Sequence, residues 1–367
     1  MVTYAIVSNE IRRDLHDPLR FFEVLEPIHF FRRASYRDMA LTEDERTIEY
    51  GGPADLLQKL RQASPQIVQG GEPFVRRLIP YAWAVLSYTQ FARRPLVVPS
   101  LDNIPVADKY GEAWAAAVRT SVRPYVRSAA LDIAVNAGAE NNLRWAGARP
   151  ERLVRMMYGT WGVDTTEFTP EGPRAQLPGK GHPIVFLGRL ERSKGIFDLV
   201  AAMPKVLESV TADVVFIGDG SDAEELNQAA RDAGVGDRVH LLGAIQNKDV
   251  PRYLRAAAVL AAPSRTTRKW AEQVGMSAIQ ALACGVPVVT TPSGSIAEFI
   301  DHGVTGLVVP EGMPDALADA ITRFLTNGVM RGEFAKRARA AAVRRFDARK
   351  NIRAVEDRIL AACGYSR

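Results

Sequence analysis

The sequence predicts two α/β domains in succession, each a doubly wound, Rossmann-like parallel sheet. Three observations carry this. Short, nearly all-apolar runs of strand length alternate with helical stretches, the pattern of a parallel sheet covered on both faces. The alternation halts in a Pro-, Gly- and polar-rich run near 170–180 and then restarts. At 367 residues there is room for two cores of ordinary size.

In the first half, residues 3–8 read as a strand and 9–18 as a polar loop that could face a ligand. The opening MVTYAIVSNEIRRD is too short in apolar length and too soon acidic for a secretory leader. Residues 27–33 are strand-like, 53–64 form an amphipathic helix stopped by Pro65, and 65–71 a buried strand entering a glycine turn. An aromatic-rich helix over 77–92, a strand over 95–99 and the loop SLDNIP follow. A helix over 110–127, a strand over 131–136 and a short helix over 139–145 complete the set. Ligands collect at the C-terminal ends of parallel strands, which places 9–17, 69–73 and 100–105 around one cleft. After the break, strands are expected at 183–187, 214–217, 239–242, 259–262 and 304–309, with helices after GDGS and at 249–256 and 314–325. A charged helical stretch over 335–360 ends the pattern. The expected division is 1–175, 176–340 and a terminal helical segment 341–367.

Composition narrows the function classes. At 47% hydrophobic and 24% charged, with no apolar run of bilayer-spanning length, the chain reads as soluble and cytoplasmic. Cys284 and Cys363 give no disulfide framework, and the five scattered His no zinc spacing. The charge of +5 is arginine-dominated, with pairs at Arg12–Arg13, Arg32–Arg33, Arg76–Arg77 and Arg93–Arg94. Nucleic acid is not the expected partner, since these residues are not interleaved with stacking aromatics. A peripheral contact with an anionic inner-membrane face or a phosphorylated acceptor fits better. The stretch 74–91, with Tyr81, Trp83 and Tyr88, could serve such a contact or be plain core.

The chemistry concentrates in the second half. In EQVGMSAIQALACGVPVV (272–289), Met276, Ile279, Leu282 and Ala283 share one helical side, so about 277–284 is helix. Gly285 and Pro287 end it, and Val286, Val288 and Val289 form a strand. Gly275 permits close backbone approach ahead of the helix, whose free first-turn N–H groups form a ready anion site. Glu272 precedes that turn, so a carboxylate and an anion cradle sit side by side, suiting a ligand with hydroxyls at one end and phosphate at the other. GRLERSKG (188–195) follows a strand; Gly188 lets backbone approach a ligand, while Arg189 and Lys194 can reach one cleft, a planar fork and a point charge for phosphate oxygens.

PSRTTRKWAEQVGMSAIQALACGVPVVTTPSGSIAEFI resembles the donor-site signature of family 4 nucleotide-sugar glycosyltransferases, which have the GT-B fold of two facing Rossmann-like domains. GVDTTEFTP resembles the segment closing their first domain, and the likeness is strongest over 150–310. It implies a retaining, metal-independent transfer from a nucleoside-diphosphate sugar, UDP- or GDP-linked, to a glycan or lipid-linked hydroxyl, with no cofactor. It implies that Arg189 and Lys194 hold the diphosphate, Glu272 the sugar hydroxyls, Gly275, Met276 and Ser277 the distal phosphate and sugar, and Gln280 the ribose diol. Gly218 and Gly243 lie by resemblance near the donor and its base. The sequence departs from the family at Gln280, where the second of two Glu stands, and at SLDNIP, which lacks the family's first-domain His; Asp102 and His16 are the substitutes considered. A nucleotide-sugar-binding pseudoenzyme or a GT-B sugar epimerase remains the alternative.

Overall fold

A computed structural model describes residues 1–34, 46–158 and 161–367. The chain forms two compact units: Met1–Trp161 with Ala348–Arg367, and Gly162–Asp347. The division falls at Trp161, ahead of the composition break at 170–180, because Val163 to Phe168 already bond within the second unit; Val163 N–H donates to Phe346 O at 2.8 Å.

Nine strands of the first unit are described: β1 (Val2–Val7), β2 (Glu10–Ile11), β3 (Leu25–Phe31), β4 (Arg33–Ala34), β5 (Thr47–Glu49), β6 (Ile67–Gln69), β7 (Leu96–Ser100), β8 (Leu131–Ala134) and β9 (Leu153–Arg155). Seven make one parallel sheet, ordered β5-β3-β1-β6-β7-β8-β9, and β2 pairs with β4 apart from it. Helices α1 (Arg13–His16), α2 (Pro53–Ala63), α3 (Ile79–Phe91), α4 (Val106–Tyr110), α5 (Glu112–Ser128) and α6 (Ala137–Ala146) connect them. Side chains alternate across the sheet as the pleat requires. Ala5, Val7, Phe30, Val68 and Val98 face one core with Leu56, Leu60 and Val85, whereas Tyr4, Ile6, Ile67, Val97 and Ile133 face the other. Each fully buried aliphatic among them contributes about 1.5–3 kcal/mol.

The second unit has strands β10 (His182–Leu187), β11 (Ala212–Ile217), β12 (Val239–Gly243), β13 (Val259–Ala262), β14 (Val288–Thr290) and β15 (Gly306–Val308). They form a parallel sheet ordered β12-β11-β10-β13-β14-β15. Its helices are α7 (Ile196–Ser209), α8 (Ala223–Asp232), α9 (Val250–Ala256), α10 (Met276–Ala283), α11 (Pro314–Thr326) and α12 (Gly328–Arg345). Ile184, Phe186, Val214 and Phe216 pack under Leu199, Met203 and Val206 of α7 and Ile321 and Phe324 of α11.

Several expectations need correction. The span 9–18 is not a plain loop; it holds β2, α1 and the start of a 3-10 turn, because Pro18 and Leu19 are buried and fold the chain back. The helix expected over 110–127 is broken at Gly111, whose φ of +80° no helix accommodates. Val286 stands outside β14: α10 ends in a Schellman turn, with Val286 N–H on Ala281 O and Gly285 N–H on Leu282 O. The charged stretch over 335–360 is two helices, α12 and α13 (Ala348–Cys363), with Phe346 and Asp347 between them.

The helix α13 belongs to the first unit, where Ile352, Val355 and Ile359 join the core below Tyr4 and Ile133. Its Glu356, fully buried, accepts N–H bonds from Glu23, Val24 and Leu25 at 2.8–3.0 Å, at the start of β3.

Candidate functional site

In the second unit the loops after β10, β11, β12 and β13 are stitched to one another at the C-terminal edge of the sheet. Gly188 N–H donates to Ile217 O, Gly218 N–H to Gly243 O, Leu190 N–H to Asp219 O and Arg265 N–H to Ser193 O, all at 2.8–3.0 Å. This closeness explains the glycines. A Cβ on Gly218 would stand 1.9 Å from Gly188 O, and one on Gly195 only 1.8 Å from Pro263 O. Gly218 therefore serves the fit of loop on loop.

That stitching carries Lys194 to Glu272, 78 residues on, with Nζ 2.8 Å from Oε2. Ser264 Oγ donates to the same oxygen at 3.2 Å, and Lys194 Nζ lies 4.3 Å from the ring centre of Trp270. Both partners are largely buried, with side chains 17% and 15% exposed. Arg189 is engaged separately: its Nη1 lies 2.6 Å from Glu191 Oε1, and its side chain is 48% exposed. The loop after β13 is held from behind, since Arg265 bonds both carboxylate oxygens of Asp198, and Thr266 bonds Glu311 through N–H and hydroxyl.

Gly275 takes a φ of +78°, and a Cβ there would meet Ile296 Cδ1 at 2.7 Å. The residue is required by its backbone and by Ile296. Its carbonyl accepts from Ala278 N–H and Ile279 N–H, while the N–H groups of Met276 and Ser277 have no partner among the described residues. Gln280, one turn further into α10, is buried, and its amide has no hydrogen-bond partner among the described residues. Gly243, φ +73°, has open space where a Cβ would stand. A diphosphate would find Lys194 and the two bare N–H groups, and a hydroxyl pair the amide of Gln280.

In the first unit Asp102 is buried and its carboxylate pairs with Lys109. Glu72, in the span 69–73 but not among the residues singled out from sequence, draws two strand ends together. It accepts from Ser100 Oγ at 3.0 Å, Leu101 N–H at 2.7 Å and Asp102 N–H at 3.2 Å. Burial and then the Asp102 charge raise its carboxyl above the usual range, against those N–H bonds. The signal was available: a carboxylate directly after a strand and two glycines, in QGGEP. His16 is not isolated either. It lies at the end of α1 against His29 of β3, with Nδ1 atoms 3.1 Å apart. Both cysteine thiols are pushed up to about 12 by burial, so neither is a nucleophile at neutral pH.

The fold over the whole chain is that of the GT-B class, two parallel α/β domains. Similar solved structures include HepE of Anabaena in complex with UDP, at a TM-score of 0.78 and 19% identity over 98% of this chain and 100% of that one. The sucrose-phosphate synthase of Thermosynechococcus elongatus gives 0.77 and 19% over 99% and 100%. At such identity the likeness establishes the fold alone. Residues 171–341 match the family model of the group 1 glycosyl transferases. Among curated relatives, the GDP-mannose-dependent alpha-(1-6)-phosphatidylinositol monomannoside mannosyltransferase of Mycobacterium tuberculosis is 36% identical over 173 residues, 45% of either chain. The D-inositol 3-phosphate glycosyltransferase of Xylanimonas cellulosilytica is 32% identical over 234 residues, 60% of this chain and 54% of that one. The chain spans about half the length of the curated relatives it matches.

Proposed function

We propose that the protein is a family 4 glycosyltransferase that moves a sugar from a UDP- or GDP-sugar to a hydroxyl of a glycan or lipid-linked acceptor, with retention at the anomeric carbon. The observation that carries this is the Lys194–Glu272 pair beside the bare N–H groups of Met276 and Ser277, within the stretch that matches the group 1 model. In this reading the second unit takes the donor and the first unit the acceptor. Lys194 turns its remaining N–H donors to the diphosphate while Glu272 accepts from sugar hydroxyls. Arg189 swings from Glu191 onto the phosphates. Negative charge grows on the departing diphosphate, and fixed cations there stabilise the transition state more than the ground state. The two cations do the work otherwise given to a metal ion, so activity should survive chelation, and no cofactor is needed.

The relatives' names support the donor and acceptor classes: one uses GDP-mannose on a phosphatidylinositol mannoside, and HepE was solved with UDP and with UDP-glucose. The acceptor reading places the protein at the cytoplasmic face of a membrane. No helix among the described residues is long and apolar enough to cross one. A thermal-shift panel of UDP, GDP, ADP and dTDP, followed by turnover with the matching sugar nucleotides in EDTA, tests the reading. Binding adds stability as RT ln(1 + [L]/Kd). Stabilisation by none of the four would overturn it. Selective binding without transfer or donor hydrolysis would favour a nucleotide-sugar-binding pseudoenzyme, the reading that Gln280 in place of Glu invites.

A further inference from the structure

Between β13 and α10 the chain over 263–275 is tied down step by step, and the ties converge on a side chain that the donor chemistry leaves unused. Arg265 N–H donates to Ser193 O at 2.8 Å, one residue ahead of Lys194, and the Arg265 guanidinium bonds both carboxylate oxygens of Asp198. Thr266 is anchored to Glu311 through its N–H at 2.6 Å and its hydroxyl at 2.8 Å. Thr267 and Trp270 then close a four-residue turn on each other. Thr267 N–H donates to Trp270 O at 2.7 Å, and the backbone N–H of Trp270 to Thr267 Oγ1 at 2.9 Å. Past the turn Ala271 is buried, and Glu272 O accepts from Ser295 N–H at 2.8 Å. A loop fixed on both flanks thus brings the half-buried indole of Trp270 against the Lys194 ammonium, with Nζ 4.3 Å from the ring centre.

A lysine head on its flexible four-carbon stem keeps one position only where partners meet it from different sides. Glu272 meets Lys194 through a hydrogen bond at 2.8 Å, and Trp270 through the negative face of its ring. The two contacts ask different things of the ammonium. The carboxylate takes one of its three N–H donors and is itself the group offered to sugar hydroxyls. A ring face attracts the charge as a whole and takes no donor, so it gives nothing up when a ligand arrives. We propose that Trp270 is a positioning residue of the donor site: its indole holds the Lys194 ammonium in place, so that the charge stays aimed at the diphosphate while Glu272 turns to the sugar. The role rests on the reading that Lys194 meets a diphosphate; the contact itself does not.

The whole protein labelled with 13C at the lysine ε-carbons reads the contact directly. Protons over an indole face are shielded, so the Lys194 ε-CH2 signal, assigned by its loss in Lys194→Ala, should stand upfield of the other lysines. Those include Lys109, whose ammonium lies 5.9 Å from the Tyr110 ring centre. In Trp270→Leu the signal should return to the common range. A Lys194 signal already in that range in the wild type overturns the proposal. Calorimetry with UDP and GDP reads the role. For whichever nucleotide the wild type binds, Trp270→Leu should weaken affinity about 2- to 30-fold, the span of cation–π contacts from exposed to desolvated. Trp270→Phe, which keeps a ring face, should recover most of the loss. Thr267→Val keeps the indole but removes the hydroxyl that receives its backbone N–H, and should fall between. In a Lys194→Ala background the Trp270→Leu loss should vanish, because the ring then has nothing to hold. An equal loss with and without Lys194 makes the indole a ligand contact in its own right or plain packing, and overturns the proposal. An upfield Lys194 in a protein that binds neither nucleotide would instead sink the donor reading and leave the Lys194–Trp270 contact standing.

Discussion

Arg189 and Lys194, five positions apart in one loop, are held by different carboxylates, and this separates what their loss should do. Lys194→Ala removes a cation and also the Lys194 bond to Glu272, so turnover should fall more than donor affinity, with some loss of thermal stability. Arg189→Ala, at a half-exposed pair, should cost turnover with little change in melting temperature. Parallel losses in kcat and 1/Kd for both would reduce them to ground-state phosphate ligands. The unequal pair on either side of α10 makes a second test. Glu272 offers charged hydrogen bonds worth about 1.5–3 kcal/mol each, Gln280 a neutral one of about 0.5–1.5 kcal/mol. Glu272→Ala should remove most activity, Gln280→Ala should weaken donor binding about tenfold, and Gln280→Glu should be tolerated. Kinetics of the three against one donor decide it, and a mild Glu272→Ala beside a dead Gln280→Ala would reverse the assignment. The order of these residues along the chain was legible from sequence. The Lys194–Glu272 contact was not, because it depends on a loop crossing at Gly195 that only backbone packing against Pro263 reveals.

At the scale of elements, strands were readable because each is a short apolar run, whereas β5, β9 and α4 were missed for want of such a pattern. Two buried carboxylates of the first unit, one in its sheet and one on α13, yield sharper expectations. Asp132 of β8 is buried, its Oδ1 has no hydrogen-bond partner among the described residues, and burial pushes its carboxyl up to about 8 despite Arg152 and Arg149. The folded state thus keeps a proton that the unfolded chain releases near pH 4. Stability from this group is complete below that pH and is lost as pH rises toward 8, at up to about 1.4 kcal/mol per unit. Asp132→Asn should gain on the wild type steadily between pH 4.5 and 7.5 in urea unfolding; a constant difference would show the carboxyl ionised in the fold. Glu356→Ala removes the acceptor of the Glu23, Val24 and Leu25 N–H groups at the start of β3, of which the buried one of Leu25 costs ~1–3 kcal/mol when left unpaired. Unfolding of the first unit should therefore begin at markedly lower urea. A midpoint within error of the wild type would mean water replaces the carboxylate.

The molecule as a whole is modestly basic, and the first unit presents its cations beside exposed aromatics. Arg119, Arg123 and Arg127 run along α5 with Trp145 around a groove of about 610 Å³. Arg76 stacks on the exposed Trp114 at 3.9 Å, and Phe91 of α3 is 82% exposed. The aromatic stretch therefore divides: Phe74 and Tyr88 are core, while Trp83 and Phe91 face solvent. Vesicles rich in anionic lipid should float the protein at low salt and release it at high salt. Flotation that ignores salt, or none at all, removes the membrane contact from the functional reading.

The first unit is interrupted in sequence, and that sets a timetable for its birth on the ribosome. Everything from Gly162 to Asp347 is translated before Glu356 exists to receive the waiting N–H groups of Glu23, Val24 and Leu25. The later-made unit is continuous in sequence and can close as soon as it emerges. The earlier-made one stays open, with the Tyr4 and Ile133 face of its sheet uncovered, until α13 has left the exit tunnel. The window in which the first unit is most exposed to chaperones and proteases therefore lasts as long as Gly162–Asp347 takes to be made, and its length is set by the size of the second unit.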